Sequence, residues 1–107
     1  MAFSTVTAKG LVGKPRSAYL CNQVVNETLT GNKNSGMLAK DYLNWGSAIG
    51  TPAAGVVVVG LDGAHVGIFI SPTEFIHSSV TKQQVITAPL SQLPYVFSNG
   101  YAFRFKN

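Results

Sequence analysis

Three side chains in this 107-residue chain have residue types suited to nucleophilic catalysis, namely Cys21, His65 and His77. A thiol becomes a strong nucleophile as a thiolate, and both a helix N-terminus and a nearby imidazole lower its pKa. One histidine can serve as the base while the second orients the ring of the first, as in a catalytic triad. The three residues together therefore predict covalent chemistry at a sulfur atom.

Each of these residues also has a plainer explanation. A lone cysteine in a small domain is usually a buried hydrophobic side chain, and His65 beside Val66 can be an ordinary histidine at a strand end. Two histidines and one cysteine can bind a metal ion, but three such dispersed residues give a weak metal signal. Catalysis is favoured only by the placement of Cys21 and the two histidines together, and not by any one of these residues alone.

Composition and charge narrow the functional classes. The chain is 46% hydrophobic and 11% charged, which predicts a domain with a real core. Its net charge is +4, but no run of basic residues reaches three, which argues against a nucleic-acid partner. Mild positive charge favours an anionic surface such as a bacterial envelope. The single cysteine excludes an internal disulfide.

The sequence predicts neither a membrane span nor an ordinary signal peptide. The longest apolar run, Ala53 to Leu61, is about half the length that a span requires. Met1 to Leu20 lacks a basic segment followed by an apolar stretch. We therefore expect the protein to be made in the cytoplasm and either to remain there or to be delivered elsewhere by another route.

Helical patterns are confined to the part of the chain before residue 50. Ser17 is a plausible N-cap, and apolar spacing predicts a helix over about residues 18–29 that ends at Gly31. Cys21 would lie in its first turn, on the face that packs inward. A second short helix is predicted over about residues 36–45.

Strand patterns follow from residue 56 onward. The unbroken run Val56–Val59 predicts a central buried strand. Four further strands are predicted at His65–Ile70, Glu74–Ser79, Gln84–Ala88 and Tyr101–Phe105. Short turns between them favour antiparallel pairing. We therefore predict an α+β fold in which N-terminal helices pack on a five-stranded, mainly antiparallel sheet, as a single domain over 1–107.

The two histidines should meet on this sheet. His65 begins one strand and His77 lies near the end of the next, and the two positions are nearly symmetric about the turn at Ser71–Thr73. Antiparallel neighbours at such positions come close in space.

Several segments resemble the NlpC/P60 family of cysteine peptidases. Gly63–Ile70 is similar to the family's "GHVGIYIG" strand, and Phe75–Ser79 is similar to its "FIHAS" strand. Ala53–Val59 resembles the "pGDLVxF" strand that precedes them, and Ser17–Leu29 occupies the place of the "DCSGLV" helix. The resemblance covers about residues 15–105.

This resemblance implies a papain-like fold and a cysteine hydrolase. Cys21 would be the nucleophile, His65 the base and His77 the residue that orients His65. The reaction would be amide hydrolysis through a thioester acyl-enzyme, in peptidoglycan stem peptides and commonly between D-glutamate and diaminopimelate. Such chemistry requires neither a cofactor nor a metal ion.

The chain departs from the family pattern around the nucleophile. Leu20 replaces the usual Asp, and Asn22-Gln23 replaces Ser-Gly. The backbone N–H of Cys21 and the side chain of Asn22 are then the candidate oxyanion donors. Trp45 and Ser78 are candidates for substrate contact, although Trp45 is better suited to the core and exposed strand-end serines usually have no role.

Other functions remain open on the same scaffold. They are a CHAP-type amidase, a deamidase or acyltransferase acting on a protein or lipid, and a non-catalytic structural module. A bacteriolytic enzyme without a signal peptide would reach the periplasm or cell wall as a secretion-system effector or a phage component. Its maker would then need protection, so a cognate immunity protein is a possible partner.

Overall fold

The computed structural model describes residues 3–107, and Met1 and Ala2 lie outside the described residues. Six strands form one sheet in the order β1-β6-β2-β3-β4-β5, with every neighbouring pair antiparallel. The strands are β1 (Ser47–Ala48), β2 (Val57–Gly60), β3 (Val66–Ser71), β4 (Glu74–Ser79), β5 (Gln84–Pro89) and β6 (Tyr101–Phe105).

The helices are few and short. Helix α2 has ten residues, α1 has six and α3 has four. Their bounds are Thr5–Gly10 for α1, Cys21–Thr30 for α2 and Leu93–Val96 for α3. Two 3-10 turns lie at Ala39–Asn44 and Leu90–Gln92.

The predicted α+β, papain-like layout with five strands is wrong. The described chain is mostly β, with six strands and only short helices. Strand β1 was not predicted, because it has two residues, both exposed, and therefore shows no alternation of apolar and polar positions. The helix expected over 36–45 is a six-residue 3-10 turn, which begins where the Asp41 carboxylate accepts the Leu38 N–H.

Helix α2 begins later than expected. The N–H groups of Ala18 and Tyr19 both donate to the Pro15 carbonyl, so this segment is a turn and Ser17 is not the N-cap. Instead, the Gln23 side-chain oxygen accepts the Leu20 N–H at 2.9 Å. Cys21 is consequently the first residue of the helix, which ends as predicted at Gly31 in the left-handed conformation.

The five strands that the sequence predicts are all present. Glu74–Ser79 and Tyr101–Phe105 have the predicted bounds, and the other three differ by one residue at their ends. The fully buried β2 lies in the middle of the sheet, as its β-branched run indicates.

The two faces of the sheet carry different cores. One face packs against α1 and α2, with Val66 and Ile68 of β3 directed toward Cys21 and Val25. The opposite face holds an aromatic and aliphatic cluster that packs against α3, composed of Val56, Val58, Phe69, Phe75, Ala88, Leu93 and Phe97. Because side chains alternate along a strand, His65 and His77 lie on this second face with Phe69 and Phe75.

Candidate active site

The structure brings the two imidazoles together, as their spacing predicts. Nε2 of His65 lies 2.9 Å from Nδ1 of His77, and the two ring planes are 89° apart. The His65 ring packs on Phe97, and the His77 ring packs on Phe75. Each ring is thus fixed both by a hydrogen bond and by an aromatic neighbour.

A glycine makes this pairing possible. Ile68 and Ile76 are paired across β3 and β4, so continuing that register places Gly67 opposite His77 and leaves His65 diagonal to it. A Cβ atom at Gly67 would lie 3.3 Å from the Cβ of His77 and 2.9 Å from the carbonyl oxygen of Ile76. The absence of a side chain at Gly67 therefore gives the imidazole of His77 its room.

Burial keeps both imidazoles neutral near neutral pH. Desolvation lowers the pKa of His65 from 6.5 to about 4; the positive charge of Arg16 acts in the same direction, whereas Asp62 opposes it. Desolvation also lowers the pKa of His77 to about 4, with further lowering by His65 and Arg16. A neutral imidazole can accept a proton, which a base requires.

Cys21 reaches the same region from the other face of the sheet. Its side chain is 7% exposed and packs with Val25, Val66 and Ile68. The hydrogen-bond acceptor of its thiol is the carbonyl of Ala64, at 4.0 Å from Sγ. The sulfur thus lies against the main chain immediately before His65, without a direct hydrogen bond to the imidazole.

The orientation of the His65 ring decides which of its two nitrogens remains available to the thiol of Cys21. Because Nε2 is directed to His77, the second ring nitrogen, Nδ1, is the one that remains for the thiol. In a histidine side chain Nδ1 is also the nitrogen nearer to the main chain, against which Sγ of Cys21 lies.

The first backbone N–H groups of α2 have no acceptor within the helix. The first intrahelical bond runs from the Val24 N–H to the Leu20 carbonyl, so the backbone N–H groups of Cys21, Asn22 and Gln23 precede it. These N–H groups form the positive end of the helix dipole, which favours an oxyanion beside it. The Asn22 side chain, proposed above as an oxyanion donor, instead donates to the Met37 carbonyl at 3.0 Å.

Ser78 and Trp45, the two side chains predicted to contact substrate, instead contact other parts of the fold. The Ser78 hydroxyl is fully buried and donates to the Tyr19 carbonyl at 2.6 Å. Trp45 is half-buried, packs edge-on against Tyr42, and lines a different cavity from the one at the imidazoles. Neither side chain faces the histidine pair, and neither belongs to the candidate active site.

A cleft of about 630 Å³ opens beside the histidine pair. Both imidazoles line it, together with Arg16, the turn after β4, and residues of β5 and α3. Arg16 is anchored there by a bond of 2.6 Å from Nη1 to the Ser78 carbonyl.

Sequence reasoning missed three residues of this site: Arg16, Gly67 and Phe97. Arg16 lies five residues before Cys21, but nothing in the sequence distinguishes it from the other scattered basic residues. Gly67 lies within the family-like strand and was not assigned a role. Phe97 comes from a distant segment that only the fold brings to His65.

Asp62 holds the loop that leads to His65. Its carboxylate accepts the Ala64 N–H at 3.0 Å and the Asn99 amide at 2.9 Å, and these bonds lower its pKa. Asp62 is therefore a turn residue, as is typical of an Asp-Gly pair.

Within residues 3–107, no group of three or more His, Cys, Asp or Glu side chains is close enough to hold a metal ion. In the same part of the chain, every helix is too short or too polar to cross a membrane. No protein-family model and no curated protein matches the sequence.

Proposed function

We propose that this protein is a cysteine hydrolase in which Cys21 attacks an amide carbonyl, His65 acts as the base and His77 positions His65. The observation that supports the proposal most strongly is the 2.9 Å bond between the two imidazoles, one residue from the carbonyl against which the thiol lies. A nucleophile, a base and a group that orients the base are the parts that thiol hydrolysis requires.

The proposed reaction begins with proton transfer from the Cys21 thiol to Nδ1 of His65. The sulfur attacks the amide carbon, and the backbone N–H of Cys21 at the helix start stabilises the resulting oxyanion. The imidazolium then donates its proton to the leaving amine as the C–N bond breaks, which leaves a thioester. Water, deprotonated by His65, hydrolyses the thioester and releases a carboxylic acid and the free thiol.

The proposed substrate is a peptidoglycan stem peptide, with cleavage next to D-glutamate. This choice rests on the resemblance of the two histidine segments to NlpC/P60 peptidases, and the net charge of +4 is compatible with an anionic cell wall. Action at the wall requires delivery to the periplasm or wall, and it gives a reason for a cognate immunity protein.

The test is digestion of purified muropeptides followed by mass analysis of the products. We expect a new amine and a new carboxylate from the wild-type protein, and no products from Cys21→Ala or His65→Ala. Lys9→Ala, which alters an exposed residue of α1 away from the cleft, is the matched control and should cleave normally. Full activity in a folded Cys21→Ala protein would reject the proposal.

The same protein should be tested against a protein glutamine and a lipid ester. Turnover of either, dependent on Cys21 and without muropeptide cleavage, would keep the thiol mechanism and overturn the peptidoglycan substrate.

A further inference from the structure

The cleft beside the imidazoles carries positive charge without a matching negative charge. Arg16 and Lys82 line it, and no Asp or Glu among residues 3–107 does so. The hydrogen bond that anchors Arg16 goes to a backbone carbonyl, which leaves the charge of its guanidinium unneutralised. A concave site lined by one sign of charge concentrates ligands of the opposite sign.

Both cations line the same cleft as the candidate catalytic imidazoles. Arg16 is bonded to Ser78, the residue after His77, and its charge is felt at both imidazoles. Lys82 belongs to the turn after β4, which is fixed by a bond of 3.0 Å from its own N–H to the Ser79 hydroxyl. A ligand that contacts these cations is therefore adjacent to the histidine pair.

The rest of the cleft wall is largely apolar. Its side chains include Val80, Ile86, Ala88, Tyr95 and Val96. An apolar wall with a few charged groups is the usual organisation of a site for a small organic ligand, in which the charged groups fix orientation. The wall suits the aliphatic part of an amino acid side chain, and the cations suit its charged end.

We propose that this cleft is a specificity subsite in which Arg16 and Lys82 bind a free carboxylate of the peptide that Cys21 cleaves. The inference rests on the proposed function, in which His65, a residue that lines this cleft, acts on the amide under attack. A carboxylate at Arg16 would also offset its charge at His65, so that the bound substrate would raise the pKa of the base and strengthen it.

The experiment uses Cys21→Ala protein, so that binding is measured without turnover. The probes are acetyl-alanyl-glutamate and its uncharged counterpart acetyl-alanyl-glutaminamide, with affinities measured by NMR titration of the histidine ring protons. We expect the acidic peptide to bind about tenfold more tightly, since charge-assisted hydrogen bonds are the stronger ones. Higher salt should reduce this preference.

Adding Arg16→Gln or Lys82→Gln should reduce the preference for the acidic peptide, and Lys9→Gln is the matched charge control that should leave it intact. Because Arg16 also bonds to Ser78, its variant is checked for folding by circular dichroism. Lys82 is exposed and gives an independent variant. Equal binding of the two peptides, or an unchanged preference in a folded Lys82→Gln protein and in Arg16→Gln, would overturn the subsite.

The two proposals fail in different ways. A carboxylate preference in the Cys21→Ala protein, combined with a wild type that cleaves nothing, would support the subsite and reject the hydrolase. Cleavage by the wild type, combined with no carboxylate preference in the Cys21→Ala protein, would support the hydrolase and reject the subsite.

Discussion

Nε2 of His65 lies 2.9 Å from Nδ1 of His77, with the two rings perpendicular. If Nδ1 of His65 is to accept a proton, Nε2 must carry the ring hydrogen and donate it to His77. His77 then carries its own hydrogen on Nε2, a buried atom that has no hydrogen-bond partner among residues 3–107. An unpaired buried donor lowers the free energy of unfolding by about 1–3 kcal/mol. This tautomer of His77 therefore destabilises the fold, as is common for functional groups.

The first prediction concerns the positioning role of His77. His77→Ala should lower kcat by about a hundredfold or more with little change in KM, because the base loses its orientation while the cleft remains. His77→Asn places an acceptor oxygen near the position of Nδ1 and should restore part of the rate. Steady-state kinetics on a muropeptide will show the difference; equal rates in the alanine and asparagine variants would indicate a merely structural role.

The second prediction is a loss of stability in acid. The unfolded chain protonates its histidines near pH 6.5, whereas burial lowers the pKa of His65 and His77 to about 4 in the folded protein. Between these values the unfolded state binds more protons, so the free energy of unfolding falls as the pH falls. For the 4% exposed His77 the loss is on the order of 3 kcal/mol.

Urea unfolding at a series of pH values measures this loss. His77→Gln, which does not titrate, should show a flatter dependence between pH 6.5 and 4. A variant curve parallel to that of the wild type would show that His77 is not a buried neutral imidazole.

The third prediction concerns the space beside His77. In Gly67→Ala, the new methyl group would lie 2.9 Å from the Ile76 carbonyl oxygen, so the two strands must shift. We expect a loss of about 1–3 kcal/mol in stability, as for other overpacked sites, together with loss of the NMR signature of the paired imidazoles. Gly10→Ala, where a Cβ meets nothing within 4 Å, is the control. Unchanged stability in Gly67→Ala would contradict the packing described here.

The fourth prediction concerns a hydrogen-bond network that we expect to stabilise the fold without taking part in catalysis. The Tyr42 hydroxyl donates to the side-chain oxygen of Asn26, whose amide donates to the carbonyls of Lys33 and Met37. Burial, with the neighbouring Asp41, raises the pKa of Tyr42, so the hydroxyl stays protonated as the donor. Tyr42→Phe should cost about 1–2 kcal/mol of stability and leave kcat unchanged. A large fall in kcat at full folding would place this network in the catalytic machinery.

The sequence was most informative where local patterns decide the structure. Alternation and β-branched runs predicted the long strands, and the turn between β3 and β4 predicted the meeting of His65 with His77. Strand β1 was missed because its pairing with β6 comes from the fold rather than from its own two residues. The start of α2 was misplaced because a side chain three residues into the helix, Gln23, caps it.

The residues of the candidate active site were only partly predictable, because some of them depend on local register and others on contacts between distant segments. The histidine pair depends on short-range register, which can be read from spacing. The positions of Arg16 and Phe97 depend on contacts between distant segments, with Arg16 bonded to Ser78 and Phe97 packed on His65. No local pattern marks either residue.

The central claim is that His65 activates the thiol of Cys21, and the rate of its alkylation tests this most directly. Iodoacetamide modification, followed by intact mass from pH 5 to 9, should be compared in the wild type, His65→Ala and the urea-unfolded chain. We expect the wild type at pH 6 to react about tenfold or more faster than the other two, since His65 would take up the thiol proton as the sulfur attacks. A folded wild type that reacts no faster than His65→Ala at any pH would contradict the account.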